Sequence, residues 1–413
     1  MALGTFTKSV TQPINAGDPT ENSTGRSKET RVSTRSLGGN SAVRIPTTLS
    51  GQLIWSGQDY HHNNSLYALC LTSEDIAEVE QALEAFKALC LDGDEVSKAN
   101  FPLPNLTERL EKCSKILHDG LGFFVIKGID MSHYTVEDSI VIYLGIASYI
   151  ADQRGIQDRE GNVLRHITSS KMWDVPLEKR HGIHSNAALP FHNDMGCDIL
   201  ALQVRHCAHS RGSTFVSSAA SIFNQLITVE PAVVRTLFEP NWPVQCSGRH
   251  AQHYLAPVMK WHHDRLMTSM DPNRFGPHPA SSGSSIPVLT QDQRYALQKL
   301  EEAARSTELE LDLERGDLLF LNNWALLHRR EAYDDDETTC RHLIRLWLRS
   351  TRHGWHVPPE MLLPWQTAYN DKIQTRIYAL HPSPTYSTPK YSVGSAAFLI
   401  YDDEQEVDES LIR

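Results

Sequence analysis

The stretch that most constrains what this chain can fold into is Leu189-Pro190-Phe191-His192-Asn193-Asp194, which runs on through Met195-Gly196-Cys197-Asp198 into the apolar Ile199-Leu200-Ala201-Leu202. Its character is that of buried strand, and in extended chain successive side chains alternate between faces. His192 and Asp194 therefore project to one side. A His and a carboxylate converging on a point supply two of the three ligands of the facial site used by non-haem Fe(II) oxygenases. The pair is not specific by itself: with 20 His and 50 acidic residues, a second His-x-Asp occurs at His262-His263-Asp264. What separates the two must lie elsewhere in the chain.

At 413 residues the chain is long enough for one large domain, and 40% hydrophobic with 22% charged residues fits a globular protein. No apolar run approaches the length of a membrane span, so no membrane partner is expected. The N-terminus lacks the apolar block of a secretory signal, and Asp18, Glu21 and Glu29 argue against a mitochondrial presequence. The seven cysteines are scattered with no Cys-x-x-Cys, which reads as free thiols in a reducing, cytoplasmic setting. In that setting the sequons at Asn22, Asn63 and Asn105 carry little weight. A net charge of -11 disfavours nucleic-acid binding. Part of it sits in a C-terminal run from Asp402 to Glu409, read as a solvated tail. The sequence leaves a homo-oligomer open.

Residues 1–48 are rich in Ser, Thr, Asn and Gly and are expected to be disordered. Residues 49–360 read as one domain, and 361–413 as an extension packing on it and ending in the acidic tail. Helices are predicted over about 73–90, opened by a Thr72/Asp75 capping box, and over 107–118 and 135–152. Further helices follow at 219–226 and 231–237, and another starts at a Thr290/Gln293 box. Strands are predicted at 122–128, 189–202, 214–218, 309–313, 318–322 and 340–349. Residues 273–285, rich in Pro, Gly and Ser, read as a surface loop. The expected architecture is a central β core with helices packed outside it.

A third ligand candidate is His328, which follows a predicted strand, turn and strand and so can return to the core. Arg341 and Arg345 lie in the apolar run Arg341-His342-Leu343-Ile344-Arg345-Leu346-Trp347-Leu348. Buried Arg is costly without an anionic partner, and at a spacing of four the two share a strand face. Guanidinium groups there suit capture of carboxylates; the competing reading pairs them with the acids at 334–337. Thr214, after the turn Arg211-Gly212-Ser213, offers a hydroxyl to a bound anion.

Taken together, these anchors, with Gly316-Asp317-Leu318-Leu319-Phe320-Leu321-Asn322-Asn323, resemble the Fe(II)/2-oxoglutarate-dependent oxygenases of the taurine dioxygenase (TauD/TfdA) type, in the clavaminate synthase-like branch. The likeness covers about residues 50–360. It implies an α+β fold with a double-stranded β-helix, or jelly-roll, core flanked by helices. It implies iron ligands at His192, Asp194 and His328, and Arg341 and Thr214 on the distal carboxylate of 2-oxoglutarate. Arg345 matches a position that in several members holds an anionic group of the substrate. Arg211-Gly212-Ser213-Thr214 departs from the two Gly and an acid common in the family, but keeps the Thr. Asp194 disfavours a halogenase of the kind that replaces this carboxylate by a small residue.

The resemblance further implies Fe(II) as cofactor, 2-oxoglutarate as cosubstrate and O2 as oxidant. Decarboxylation of 2-oxoglutarate to succinate would be coupled to C–H oxidation (hydroxylation, desaturation or cyclisation) of a small polar, carboxylate-bearing substrate such as an amino acid or derivative. Asn186 and Ser185, just before the first ligand, are substrate-contact candidates by proximity in sequence. Two other readings compete: a Zn-dependent hydrolase on the same site, which would not need Arg341, and a silent metal-binding jelly-roll protein.

Overall fold

Alternation within two strands decides where the cores lie. In Ile199–His206, Ile199 and Ala201 face one side while Leu200, Leu202 and Val204 face the other. In Leu318–Asn322, Leu318 and Phe320 go with the first set and Leu319 and Leu321 with the second. Both strands are buried on two faces and so sit centrally in a sheet covered on both sides. The structure, a computed structural model, describes residues 5–9 (as backbone), 45–60, 63–158, 160–246, 253–277, 286–369 and 375–386.

The larger sheet has seven strands. Ala68–Cys70, Phe123–Lys127, Leu318–Asn322, Ile199–His206 and His342–Arg349 lie side by side, and the last is flanked along its length by Leu164–Thr168 and Gln153–Gly155. Its outer face carries the helices Ser73–Ala88, Thr107–Asp119 and Val136–Ile150 over a core that includes Phe124, Ile126, Phe320, Ile344 and Leu346. The smaller sheet orders Leu309–Leu311, Thr214–Ser218, Leu326–Arg330 and Leu189–His192, all antiparallel. Phe191, Phe215 and Leu327 on its outer face pack against Ala219–Val229, Pro231–Phe238 and Gln291–Thr307. Between the sheets lies a third core, to which Val216 and Leu326 contribute from one side and Leu200, Leu321 and Trp347 from the other. This is the jelly roll flanked by helices on both faces.

Local signals placed most elements. Thr72 and Asp75 exchange both bonds of a capping box, as do Thr290 and Gln293. The short strands Ala68–Cys70 and Leu164–Thr168 carry no such signal and were not expected. Within the segment expected to be disordered, Thr5–Ser9 forms a strand paired antiparallel with Thr375–Ala379. Its partner lies at the far end of the chain, so local composition does not reveal it. Residues 10–44, the loop residues 278–285 and the acidic run 402–409 lie outside the described residues. No helix among the described residues is long and apolar enough to cross a membrane.

Candidate active site

Strand pairing brings the distant histidines together. Leu189–His192 pairs with Leu326–Arg330 with His328 opposite His192, and their ring centres are 4.2 Å apart. Asp194 lies in the turn that follows, and one ligand atom from each of the three falls within 4.8 Å of the others. The turn is held by two amides. Asn193 turns away from the cluster, donating to the carbonyls of Asn323 (2.6 Å) and Leu326 (2.8 Å) and accepting from Met270 N–H at 3.0 Å. Asn323 accepts from Asp194 N–H at 2.9 Å and donates to the carbonyls of Asp194 (2.7 Å) and Cys197 (2.8 Å).

The atoms left open suit a cation. The Pro190 carbonyl only accepts, so His192 Nδ1–H donates to it at 2.9 Å, and in the neutral ring the Nε2 lone pair is left facing Asp194 Oδ1 at 3.9 Å. Burial pushes His328 down to about 3, helped by His192, so its imidazole is neutral near pH 7, as a metal ligand must be. Burial alone would raise Asp194, but Arg345, His328 and His192 outweigh it and hold the carboxyl below its ordinary value. Asp194 Oδ2 is taken by Arg345 Nη1 and Trp347 Nε1, each at 2.9 Å, which leaves Oδ1 for the cluster. Two imidazoles and one carboxylate on one face fit Fe(II).

Arg341 and Arg345 share a face but differ in partners. Arg345 pairs with Asp194 and donates from Nε to Gln157 at 2.6 Å. The Arg341 guanidinium has no hydrogen-bond partner among the described residues. Asp335, from the acids that were the competing explanation, instead accepts from the Arg341 backbone N–H at 2.8 Å. Arg341 and Thr214 both line a cavity of about 490 Å³, with Val204 and Leu343 on its wall. Gly212 permits this approach: its φ is +81°, and a Cβ there would lie 2.8 Å from Tyr333 Cβ and 3.4 Å from Arg341 Cδ.

Asn186 is fastened to the backbone of Tyr333, donating from its side chain at 3.1 Å and accepting from Tyr333 N–H at 3.1 Å. Its contacts thus lie beside Arg341's neighbour rather than at the His–Asp cluster. Ser185 is buried, with its hydroxyl on the Gly182 carbonyl at 3.1 Å. The rival pair stays apart from all of this. His263 and Asp264 form the tip of the hairpin Met259–Thr268, with φ of 45° and 57°, and both are exposed. Sequence reasoning missed Asn323, Trp347 and Arg330 as neighbours of the site. Trp347 was within reach, since it stands two positions after Arg345 and so on the same strand face.

Comparison with known proteins identifies the family and the fold. The sequence model of the family described as "Taurine catabolism dioxygenase TauD, TfdA family" matches residues 86–347. A "Taurine hydroxylase-like protein SAT17" of Stachybotrys chartarum is 28% identical over 357 residues, covering 83% of this chain and 90% of the relative. "FR-33289 synthase" of Streptomyces rubellomurinus is 24% identical over 324 residues, covering 76% and 93%. Among solved structures, asparagine oxygenase in complex with Fe(II), hydroxyasparagine and succinate superposes with a TM-score of 0.54 at 16% identity, covering 69% of this chain and 94% of that one. The non-haem iron oxygenase OrfP with Fe superposes with a TM-score of 0.51 at 15% identity, covering 70% and 97%. The chain is a member of the TauD/TfdA family of dioxygenases, an iron enzyme that uses 2-oxoglutarate.

Proposed function

We propose that His192, Asp194 and His328 hold the Fe(II), that Thr214 and Arg341 hold the distal carboxylate of 2-oxoglutarate, and that the enzyme oxidises a C–H bond of a small polar acid, an amino acid or derivative, positioned by Arg345. The observation that carries this reading is the contrast between the two arginines. Arg345 is committed to Asp194, while Arg341 faces the cavity beside Thr214 with no carboxylate bonded to it. A buried cation without a protein partner is costly, and an anionic cosubstrate supplies that partner. A hydrolase on the same ligands would have no use for it.

Bound iron supplies the oxidative chemistry, in which 2-oxoglutarate and O2 yield succinate, CO2 and an oxidised substrate. The chain's own residues orient and shield. Trp347 and Arg345 fix the Asp194 carboxylate through Oδ2. The hydrogen bond from His192 Nδ1–H to the Pro190 carbonyl fixes the His192 ring. Arg345 still has N–H groups free of Asp194 and Gln157 to offer a substrate carboxylate, which would place a substrate C–H beside the metal. The amino-acid class is supported by the solved relatives, one of which is named for asparagine and another was obtained with hydroxylated arginine.

The test is succinate release from 2-oxoglutarate with Fe(II) and O2 across a panel of amino and organic acids. Stimulation by one subset is expected. Failure of the Fe(II)-loaded protein to bind 2-oxoglutarate in calorimetry would overturn the site assignment. Binding with no stimulation by any acid would overturn the substrate class alone.

A further inference from the structure

A second guanidinium stands beside Arg341 and likewise has no carboxylate bonded to it among the described residues. Arg330 and Arg341 are 5% and 6% exposed. Both lie against the ring of Tyr333, at 5.0 and 5.4 Å from guanidinium carbon to ring centre. Burial, then the charge of Arg330, lowers Arg341 to about 10. Asp335 is the carboxylate that acts on both. Its oxygens are engaged by the Arg341 backbone N–H at 2.8 Å and the Ser169 hydroxyl at 3.1 Å, not by either guanidinium. Arg330 Nη2 donates to the carbonyls of Ser185, at 2.9 Å, and Ala187. Its Nε and Nη1 are buried with no partner among the described residues.

Position in the sheet says what those groups face. Thr214 is directly opposite Arg330 in the pairing of Thr214–Ser218 with Leu326–Arg330. Cross-strand neighbours point to the same side, here the side between the sheets where Val216 lies. Two buried cations with unused donors, one across from a cavity-lining hydroxyl and the other itself lining the cavity, call for more negative charge than the protein supplies there.

We propose that Arg330 is a second cationic anchor for the distal carboxylate of the cosubstrate, acting across from Thr214 and alongside Arg341. The chain then discriminates for a dicarboxylic 2-oxo acid more strongly than one guanidinium allows. Because the same side chain holds Ser185 and Ala187, it also braces the loop that leads into His192. The inference rests on the reading of Thr214 and Arg341 as the cosubstrate pocket.

The experiment is calorimetry on the Fe(II)-loaded protein without O2, with two ligands. 2-Oxoglutarate carries the distal carboxylate; 2-oxovalerate has the same keto-acid end and lacks it. Arg330→Met should raise the Kd for 2-oxoglutarate at least tenfold and leave that for 2-oxovalerate within twofold. Arg330→Lys, which restores the charge but not the fork, should recover part of the loss and serves if the Met variant does not fold. Equal weakening of both ligands, as a mere loop brace predicts, would overturn the proposal. So would unchanged 2-oxoglutarate binding in a folded variant. Arg341→Met separates the two levels: if it leaves 2-oxoglutarate binding intact, the underlying pocket assignment fails instead.

Discussion

Asp194 has two oxygens with different tasks, and this makes it the most exposed single residue of the proposed mechanism. Oδ2 compensates the half-buried Arg345, while Oδ1 faces the histidines. Asp194→Ala should therefore do more than remove a ligand. It leaves the half-buried Arg345 with Gln157 as its remaining partner, at a cost of about 2 kcal/mol in the metal-free protein. Urea denaturation would measure this, and a change well under that figure would mean that Arg345 finds another partner. His328→Ala should behave differently, because its Nδ1 is already buried without a partner among the described residues. It should abolish succinate release and iron retention with a smaller loss of stability. The residue types and their order were legible in the sequence. The roles of Arg341 and Arg345 were implied only by resemblance; that Arg345 and not Arg341 meets Asp194 depends on the fold.

Among the elements, the turn from Asp194 to Cys197 and the turn before Thr214 set the site. The first is closed by Asn323, which makes three hydrogen bonds to its backbone. Asn323→Ala leaves the Asp194 N–H unsatisfied in a buried place, at a cost of about 1–3 kcal/mol. It should also weaken iron binding, readable by metal titration; unchanged affinity would show that the turn holds without the amide. In the second turn, Gly212 sits at φ +81° against Tyr333. Gly212→Ala should destabilise by about 1–2 kcal/mol and raise the Kd for 2-oxoglutarate, since the intruding methyl displaces Arg341. Both effects come from close approach between segments remote in sequence. The helices, by contrast, were legible because apolar period and capping boxes are carried by neighbours in the chain.

At the scale of the whole molecule, the C-terminal segment ties back onto the site. Trp365 Nε1 donates to Asp198 Oδ1 at 2.7 Å, Tyr369 donates to the Leu348 carbonyl at 2.8 Å, and Trp173 Nε1 reaches the Ser383 carbonyl at 2.7 Å. Asp198 also receives Trp324 and Arg349. Ending the chain after residue 361 should abolish a cooperative thermal transition, whereas Trp365→Phe should cost only about 1–2 kcal/mol. Acid sensitivity is likewise a property of the whole. Burial lowers His166 and His184 to about 3 each, against about 6.5 in the unfolded chain. The unfolded state then binds more protons between those values, so stability is full above about pH 6.5 and lost as pH falls toward 3. The urea midpoint of metal-free protein should fall from pH 7 to pH 5. His184→Phe should flatten that fall, and an unaltered slope would rule out His184 as a contributor.

The sequence by itself determined the alphabet of the site and the periods of the elements: a His-x-Asp in a buried strand, a later His, two Arg in an apolar run and a Thr after a tight turn. Each of these is written in residues close to one another, so local physics suffices to read it. The resemblance already favoured His192-x-Asp194 over its rival; the tertiary structure supplied the physical reason, which is the position of each pair relative to a second histidine. His262 and Asp264 have the right spacing, but His262 ends its strand half-buried and Asp264 lies in the exposed positive-φ turn that follows. His192 is set opposite His328 by the register of two strands far apart in the chain. That register follows from burying Phe191 and Leu327 on one face of the smaller sheet and the histidines on the other. The same burial leaves Arg330 beside Arg341 with donors unspent, which no spacing in the chain could announce.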